Sequence, residues 1–555
     1  MKSSNTINMR LVSIKIFKIL SKLILISILS NQCNATSDRP NIIFILADDL
    51  GFNDVSFHGS SQIPTPNIDA LAYSGIILNR YYVTPLCTPS RAALMTGKYP
   101  IRTGMQHDVI TTMEPRGLPL EEKLLPEYLN ELGYKSHIVG KWHLGHWKRA
   151  YTPLYRGFKS HVGSWTGRHD YNDHTAMASK TWGYDMRRGM NVARDLFGKY
   201  TTDIITDESI KIIKNHNASN PLFLYIPHMA VHSVHQYNPL PAPDEVVDEM
   251  KHIDDYKRRR FAAILTILDR SVGKVVKALK TSNMLENSII IFSTDNGGAP
   301  EGFNLNHASN WPLRGAKYKL WEGGVRGVGL IWSPLLKNQQ RVSHQMIHIT
   351  DWLPTLLSAA GGNVTSLPDD IDGLDLWESL SENTESPRTE TLLNIDPTWK
   401  MKAMVVGDFK VVQGTNFQGK WDHWYGPAGD RDLNNYKIDK ITSSYSGITL
   451  NELGFLPDEE KIRQLRIDAI IRCANATQVK CNIKNGPCLF NVVEDPCEKI
   501  NLAQSNRPML NKILQKIEYY KQFAIPPTNK ADDPRGHPRF WDWTWTNWGD
   551  GKEEL

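Results

Sequence analysis

A short apolar run followed at once by polar residues occurs four times, and this pattern constrains the fold more than any other feature. The first run, Asn41–Ala47, ends at Asp48 and Asp49. Such a run is typical of a parallel strand whose two faces are both buried. The other three runs occupy residues 134–139, 221–226 and 288–293.

The polar residues after these runs are predicted to meet in one crevice, because ligands bind where the carboxyl ends of parallel strands lie along one sheet edge. They are Asp48 and Asp49 after the first run, Lys141 and His143 after the second, His228, His232 and His235 after the third, and Asp295 and Asn296 after the fourth.

Helical patterns separate the predicted strands. Residues 256–279 carry apolar side chains at helical spacing, which predicts a long helix packed on a core. Residues 120–132 read as a second helix, and Pro126 should kink it or mark its first turn. Alternating strands and helices indicate the α/β class, with a mostly parallel sheet flanked by helices.

A smaller C-terminal α+β domain is predicted from about residue 390. Residues 383–388 resemble a linker, and residues 404–412 read as a hairpin with a Gly-Asp turn. We therefore expect a large domain at 36–389 and a small one at 390–555. The tail at 540–548 is rich in tryptophan, and we expect it to dock against the body of the protein rather than stack on sugars.

Residues 1–35 read as a secretory signal peptide. The segment carries five basic and no acidic residues, then a short apolar run and small residues. That run is too short to cross a bilayer, so no membrane span is expected in the mature chain. Removing five of the 64 basic residues leaves 59 against 59 acidic ones. No overall basic field remains to attract nucleic acid.

Cysteine usage fits an oxidising compartment. Cys33 leaves with the signal segment, and four cysteines cluster near the C-terminus, at 473, 481, 488 and 497. They predict two disulfides with three connectivities open, and zinc is disfavoured because no Cys-x-x-Cys occurs. Cys87 is then left as the candidate reactive thiol.

Two further features concern the secretory route. Glycosylation sequons begin at Asn217, Asn363 and Asn475. The last four residues, Lys552–Leu555, resemble a degenerate endoplasmic-reticulum retrieval signal, with an ordinary charged terminus as the alternative.

Cys87 is predicted to lie at a helix N-terminus. It precedes a proline, a serine and Arg91, and good helix formers follow. Unpaired backbone N–H groups and the positive end of the helix dipole favour an anion at that position. Arg91, one turn on, can direct its planar guanidinium to the same place. A buried cysteine at a helix cap is the plainer alternative.

The acidic strand ends offer only oxygen ligands. Asp48, Asp49, Asp295 and Asn296 suit Ca²⁺, which accepts flexible geometry, whereas Mg²⁺ demands closer octahedral order. Each pair alone can also be a helix cap or a turn.

The run from Cys87 to Arg91, Cys-Thr-Pro-Ser-Arg, resembles the sulfatase signature Cys-x-Pro-Ser-Arg. The similarity continues through Gly97–Gly104, and Gly140–Gly145 resembles the second signature of that family. Residues 310–327 resemble the arylsulfatase B (N-acetylgalactosamine-4-sulfatase) branch. The resemblance implies an alkaline-phosphatase-like fold and a formylglycine that a formylglycine-generating enzyme makes from Cys87. It also implies Ca²⁺ bound by the four strand-end residues and an oxygen of the modified Cys87.

The resemblance also implies a mechanism. One hydroxyl of the formylglycine hydrate attacks sulfur in line and the alcohol departs; loss of the proton from the other hydroxyl then expels sulfate. In that scheme Arg91 stabilises the hydrate, while Lys141 and Lys317 bind sulfate oxygens. His143 handles the hydrate's proton, and His232 protonates the leaving alcohol.

The expected substrates are sulfate monoesters, first among them N-acetylgalactosamine 4-sulfate groups of glycosaminoglycans, in a lysosomal or secreted enzyme. Small sulfated metabolites such as glucosinolates or aryl sulfates are the alternative. A phosphatase or phosphodiesterase of the same superfamily would need a hydroxyl nucleophile and usually two zinc ions. A non-catalytic binder of sulfated glycans is the third alternative. The loop at 163–185 and the cysteine pattern depart from the arylsulfatase B branch.

Overall fold

The protein is represented by a computed structural model that describes residues 38–178, 180–429, 435–473, 475 and 477–551. The predicted signal segment 1–35 and the terminal Lys552–Leu555 lie outside the described residues. Among the described helices, none combines the length and the apolar character needed to cross a bilayer.

Ten of the described strands form one large sheet in the order β13-β2-β12-β11-β1-β10-β4-β5-β8-β9, and β14 pairs with β3 and β6 with β7. Their bounds are β1 Asn41–Ala47, β2 Ile76–Leu78, β3 Tyr81–Tyr82, β4 Lys135–Val139, β5 Ser160–Gly163, β6 Thr175–Ala178, β7 Thr181–Tyr184, β8 Arg187–Arg188, β9 Asn191–Val192, β10 Leu222–Pro227, β11 Ser288–Thr294, β12 Gly329–Trp332, β13 Arg341–Ser343 and β14 Ile347–His348.

The centre of the sheet is parallel, as the apolar runs predict. β1 lies between β10 and β11, with Ile43 opposite Leu224 on one side and Ile290 on the other. β4 and β5 continue the parallel arrangement beyond β10. All four predicted runs are strands of this central block, and their carboxyl ends therefore lie along one edge of the sheet.

Helices cover both faces of the sheet. Those before residue 389 are α1 Pro66–Ser74, α2 Cys87–Thr96, α3 Pro100–Thr103, α4 Leu125–Glu131, α5 Thr201–Asn215, α6 Asp244–Glu249, α7 Tyr256–Thr281, α8 Glu322–Val325, α9 Trp352–Ala359 and α10 Trp377–Glu382. Successive residues of β1 point to opposite faces. Ile43 and Ile45 join the core with α1, α5 and α7, whereas Ile42 and Phe44 join the core with α2, α4 and α9.

The two predicted helices differ in how well the sequence located them. α7 runs from Tyr256 to Thr281, and the side chain of Asp255 caps it by accepting from the Arg258 N–H. The helix expected at 120–132 is shorter, because α4 begins only at Leu125. Pro126 lies in its first turn, where the missing N–H costs no helical hydrogen bond.

The C-terminal part contains a four-stranded antiparallel sheet in the order β15-β16-β17-β18. Its elements are β15 Glu390–Asp396, β16 Met401–Val406, β17 Phe409–Gln413, α11 Ile438–Thr442, α12 Tyr445–Glu452, α13 Glu459–Ala469, β18 Cys488–Asn491 and α14 Arg507–Lys521. β16 and β17 form the expected hairpin, and Gly407 takes the left-handed φ of +55° in its turn. α14 packs on this sheet, whereas α12 packs on α1 and α7 of the large sheet.

The disulfides and the aromatic tail agree with the expectations from sequence. Cys473 pairs with Cys497 and Cys481 with Cys488, while Cys87 is a free, buried thiol. In the tail, Trp545 is fully buried and donates its indole N–H to the Ala176 carbonyl at 3.0 Å. The tail is therefore docked against the body of the protein, in contact with β6.

Candidate functional site

The ends of β1 and β11 bring the acidic residues together. The register pairs Ala47 with Thr294, so the residues that follow each strand become neighbours. The Asn296 amide donates to Asp49 Oδ1 at 2.8 Å. Asp48, Asp49, Asp295 and Asn296 are all fully buried.

Three buried cations face these carboxylates. Lys141 forms an ion pair with Asp48, and Lys317 Nζ lies 2.6 Å from Asp49 Oδ1. Arg91 donates to Asp295 Oδ2 from Nη2 at 2.9 Å and from Nε at 3.1 Å. Lys141 follows β4, Arg91 lies on α2, and Lys317 lies on the loop before α8. Three separate parts of the chain thus supply one cation each to the same cluster.

Cys87 is the first residue of α2, as predicted, and is 2% exposed. Its sulfur, one oxygen of Asp48 and one of Asp295 lie within 4.8 Å of one another. Burial raises the pKa of the Cys87 thiol, although Lys141 and Lys317 act in the opposite direction. The unmodified thiol is therefore poorly ionised, which disfavours it as a nucleophile.

His143 is a neutral imidazole with one nitrogen available. Its Nε2 lies 3.1 Å from the Ile110 carbonyl, so this nitrogen carries the proton. The buried Nδ1 has no hydrogen-bond partner among the described residues and is left as an acceptor. Burial, followed by the charge of Lys141, holds the pKa of His143 well below its usual range.

His232 contacts the cluster, whereas His228 and His235 do not. Its Nδ1 forms a hydrogen bond with the Ser233 carbonyl, and Lys317 Nζ lies 3.2 Å from its Nε2. These partners make Nδ1 the protonated nitrogen and Nε2 an acceptor. Burial lowers the pKa of His232 to about 4. His228 Nε2 instead lies 3.4 Å from the Ser271 hydroxyl on α7.

The oxygen donors fit a divalent cation. Asp48 Oδ1, Asp49 Oδ2 and Asn296 Oδ1 are buried, and none of them accepts a hydrogen bond from a described residue. His232 Nε2 lies 3.4 Å from Asp49 Oδ2. Buried oxygens are normally paired, so three such atoms at adjacent strand ends are the pattern expected of a metal site. Burial and the charge of Asp48 raise the pKa of Asp295, as expected for carboxylates held this close together. A divalent cation between them would relieve that repulsion.

A pocket of about 350 Å³ opens over this cluster. Its wall includes Cys87, His143, His232 and Lys317, which the sequence identified. The remaining lining residues were missed, and they are Val109, Ile110, Thr111, Thr112, Gly167, Arg168, Met177, Ala178, Asn304, Tyr318 and Asp532. These lie on loops, a hairpin and the tail, where no periodic pattern or motif marks them.

Asp532 shows how far the pocket wall reaches along the chain. Thr111 donates its hydroxyl to Asp532 Oδ1 at 2.6 Å, and the Asp533 N–H donates to the Met113 carbonyl at 2.8 Å. The docked C-terminal tail therefore forms part of the pocket that the large sheet begins.

Comparison with known proteins decides the family. Residues 40–362 match the model of the family described as Sulfatase. The chain belongs to the sulfatase family. Its relatives include mouse arylsulfatase J, 38% identical over 519 residues that cover 93% of this chain and 81% of that protein. Human N-acetylgalactosamine-6-sulfatase is 34% identical over 61% of this chain and 66% of its own length.

Solved structures agree with this assignment. The crystal structure of Ps i-CgsB superimposes with a TM-score of 0.70 and 27% identity, covering 92% of this sulfatase and 100% of that chain. The same enzyme in complex with k-i-k-neocarrahexaose gives a TM-score of 0.70 and 25% identity, covering 93% and 99%. The predicted fold class, a mostly parallel sheet flanked by helices with a smaller C-terminal sheet, is confirmed. The protein is thus a sulfuric ester hydrolase.

Proposed function

We propose that this sulfatase uses a formylglycine made from Cys87 and a Ca²⁺ ion held by Asp48, Asp49, Asp295 and Asn296, together with an oxygen of the modified Cys87. The observation that carries the proposal is the set of three buried, unpartnered oxygens at the ends of β1 and β11. Cys87 lies directly beside them at the start of α2. Hard oxygen ligands from carboxylates and an amide favour Ca²⁺ over softer metals.

A formylglycine at residue 87 would supply the nucleophilic oxygen and a bound ion would supply positive charge for the sulfate. The remaining tasks fall to the protein's side chains. Lys141 and Lys317 bind sulfate oxygens, because both ammonium groups lie in the buried cluster next to the pocket. Arg91 donates to Asp295 and holds that carboxylate beside residue 87, where it also stabilises the modified side chain. Fixed cations in a buried site stabilise charge that develops during ester cleavage.

The two histidines take opposite proton roles. His143 accepts a proton at the buried Nδ1, which has no described donor of its own. His232 is assigned to protonate the leaving oxygen from Nε2, and the Lys317 ammonium, 3.2 Å away, helps to fix the position of that nitrogen. A general base and a general acid at one reacting group each contribute to catalysis.

The phosphatase alternative needs a nucleophile that Cys87 does not offer without modification. Burial raises the pKa of its thiol, so the unmodified side chain is a poor nucleophile. Oxidation to an aldehyde, followed by addition of water, would replace the poorly ionised sulfur with the hydroxyl groups of a hydrate.

The proposed substrates are N-acetylgalactosamine 4-sulfate groups of glycosaminoglycans. Residues 310–327 carry the resemblance to the arylsulfatase B branch. A relative is named N-acetylgalactosamine-6-sulfatase, which supports the sugar but names a different sulfate position. The pocket volume of about 350 Å³ lies within the range of small-ligand pockets, roughly 300–1,000 Å³.

We further propose a lysosomal or secreted glycoprotein that meets the formylglycine-generating enzyme during maturation. The sequon residues Asn217, Asn363 and Asn475 are all exposed, as glycan attachment requires. The two disulfides fit the same oxidising route.

The modification is tested by mass spectrometry of the peptide that spans Cys87 in protein from eukaryotic secretory expression. We expect an aldehyde that reacts with a hydrazide, and loss of sulfate release in Cys87→Ala. An intact thiol in fully active protein would refute the proposal.

The metal and the substrate are tested separately. Chelation should abolish turnover of an aryl sulfate, and Ca²⁺ should restore it better than Mg²⁺, with metal content measured in parallel. Sulfate release is then compared for N-acetylgalactosamine 4-sulfate, the 6-sulfate and a glucosinolate. Preference for the glucosinolate would make the small-metabolite alternative correct.

A further inference from the structure

One wall of the pocket continues outward as an aromatic surface. Met177 lines the pocket and lies on β6, where it pairs with Trp182 of β7. Directly opposite residues in an antiparallel pair share a face of the hairpin. The neighbouring pair of Ala176 and Gly183 belongs to the other face, which packs on Trp545. Trp182 therefore extends the wall that Met177 begins.

Trp182 packs against two other aromatic side chains, His235 and Tyr237. Its ring centroid lies 4.7 Å from that of His235 and 5.6 Å from that of Tyr237. The His235 and Tyr237 rings are stacked, 5.2 Å apart and 19° from parallel. His235 is buried and comes three residues after His232, so it anchors the group to the pocket.

Trp182 and Tyr237 keep much of their ring surface in solvent. Their exposed fractions are 37% and 67%. We call these two residues the aromatic platform. Adjacent exposed aromatic rings beside a pocket mark a binding surface, because leaving large apolar faces in water is unfavourable.

The size of the pocket indicates what the platform receives. At about 350 Å³ the pocket lies at the small end of the range for ligand pockets, roughly 300–1,000 Å³, so most units of a bound glycan would lie outside it. Trp182 pairs with Met177, a lining residue, so the platform adjoins the pocket wall. A flat aromatic surface complements the apolar face of a pyranose ring.

We propose that the aromatic platform of Trp182 and Tyr237 binds the sugar unit adjoining the one that carries the scissile sulfate. This inference rests on the proposed action on a sulfated glycan. It makes Trp182 and Tyr237 specificity-determining residues that act in substrate binding and not in the chemical step.

The test compares three substrates, which are 4-nitrophenyl sulfate, N-acetylgalactosamine 4-sulfate and a chondroitin 4-sulfate trisaccharide with the sulfated unit at its non-reducing end. Wild type should prefer the trisaccharide to the monosaccharide by roughly tenfold in kcat/KM, which corresponds to burying about 50 Å² of apolar surface. Trp182→Ala and Tyr237→Ala should each remove most of that preference through KM. Their kcat/KM on the aryl ester should stay within twofold of wild type.

Tyr519→Ala is the matched control, because Tyr519 is also exposed (56%) and packs against another aromatic ring, but lies on α14. This variant should keep the wild-type kcat/KM on all three substrates. If wild type hydrolyses the monosaccharide and the trisaccharide with equal kcat/KM, the platform does not bind a second sugar, whereas the proposed function is unaffected. A preference that survives both alanine variants would also overturn the platform. Cleavage of the aryl ester with neither sugar cleaved would refute the platform together with the proposed glycan substrate, and would leave the proposed formylglycine and metal chemistry intact.

Discussion

Replacing Lys410 by methionine should destabilise the protein and weaken the contacts that hold the segment carrying Lys317 in place. Lys410 Nζ lies 2.8 Å from Glu322 Oε1 and 3.0 Å from Glu498 Oε1, and all three side chains are fully buried. Lys410 belongs to β17, whereas Glu322 begins α8, five residues after Lys317. The cluster therefore joins the C-terminal sheet to the loop that carries a proposed sulfate-binding lysine.

The expected loss follows from the burial of the cluster. Lys410→Met removes the ammonium and leaves two buried carboxylates facing each other, and breaking such a pair costs about 3–5 kcal/mol. The 555 residues less the predicted 35-residue signal leave 520. The entropy of unfolding for that length is about 1.1 kcal/mol/K, so the melting midpoint should fall by about 3–5 °C.

The assay is thermal unfolding followed by tryptophan fluorescence at pH 7.5 and at pH 5. Burial raises the pKa of Glu498 even with Lys410 opposing it, and the variant loses that opposition. Between pH 7.5 and pH 5, Glu498 binds more protons in the folded state than in the unfolded chain, so lowering the pH stabilises the folded state. This effect is larger in Lys410→Met than in wild type, and the difference in melting midpoint between the two should therefore be smaller at pH 5.

Lys410→Met/Glu498→Gln is the matched control, because it removes one positive and one negative charge together. Glu322 then keeps Arg326 at 3.4 Å and the Tyr82 hydroxyl at 3.3 Å. The double variant should recover at least half of the lost stability. The reasoning fails if the double variant melts no higher than the single one, or if the single variant melts within 1 °C of wild type.

Three further changes have distinct expected outcomes. Lys317→Met should lower kcat/KM on an aryl sulfate by about 10²–10³, the usual cost of one charge-stabilising group, with an unchanged far-ultraviolet spectrum. Asp269→Ala should lower the free energy of unfolding by about 2 kcal/mol, because Asp269 accepts from two backbone N–H groups at the start of α1, and Asp269→Asn should cost less. Replacing Cys473 and Cys497 by alanine opens a bridge across 24 residues and should cost about 3 kcal/mol in urea unfolding, with an unaltered midpoint counting against a structural role for the bridge.

The parts of the site that lie on regular elements could be predicted from the sequence. An apolar run fixes both the strand and the place where it ends, so Asp48 and Asp295 follow directly from the pattern. The register of β1 and β11 then decides that these carboxylates become neighbours, and no local feature of either run encodes that register. Cys87 was found because helix formers follow it and the signature continues through Arg91.

The pocket wall could not be predicted in the same way. Trp182 lies on a two-stranded hairpin whose place depends on docking against Trp545, far along the chain. Asp532 reaches the pocket only because the tail docks beside Met113. Such contacts depend on tertiary packing, and neither residue lies in a run whose period or spacing indicates a position near Cys87.

The charge balance of the cluster links the proposed cation ligands to the proposed sulfate-binding lysines. When all three are ionised, Asp48, Asp49 and Asp295 cancel the charges of the three cations that face them, Arg91, Lys141 and Lys317. Burial and the charge of Asp48 raise the pKa of Asp295 and oppose its ionisation. A sulfate ester gains little from a neutral cluster, because each cation is already engaged by a carboxylate. A divalent cation on the unpartnered oxygens would raise the sum to plus two and compete with the lysines for the same carboxylates. On the proposed assignment, the carboxylates would set the positive charge that the pocket presents to an anion, and the lysines would bind sulfate to the extent that the carboxylates release them.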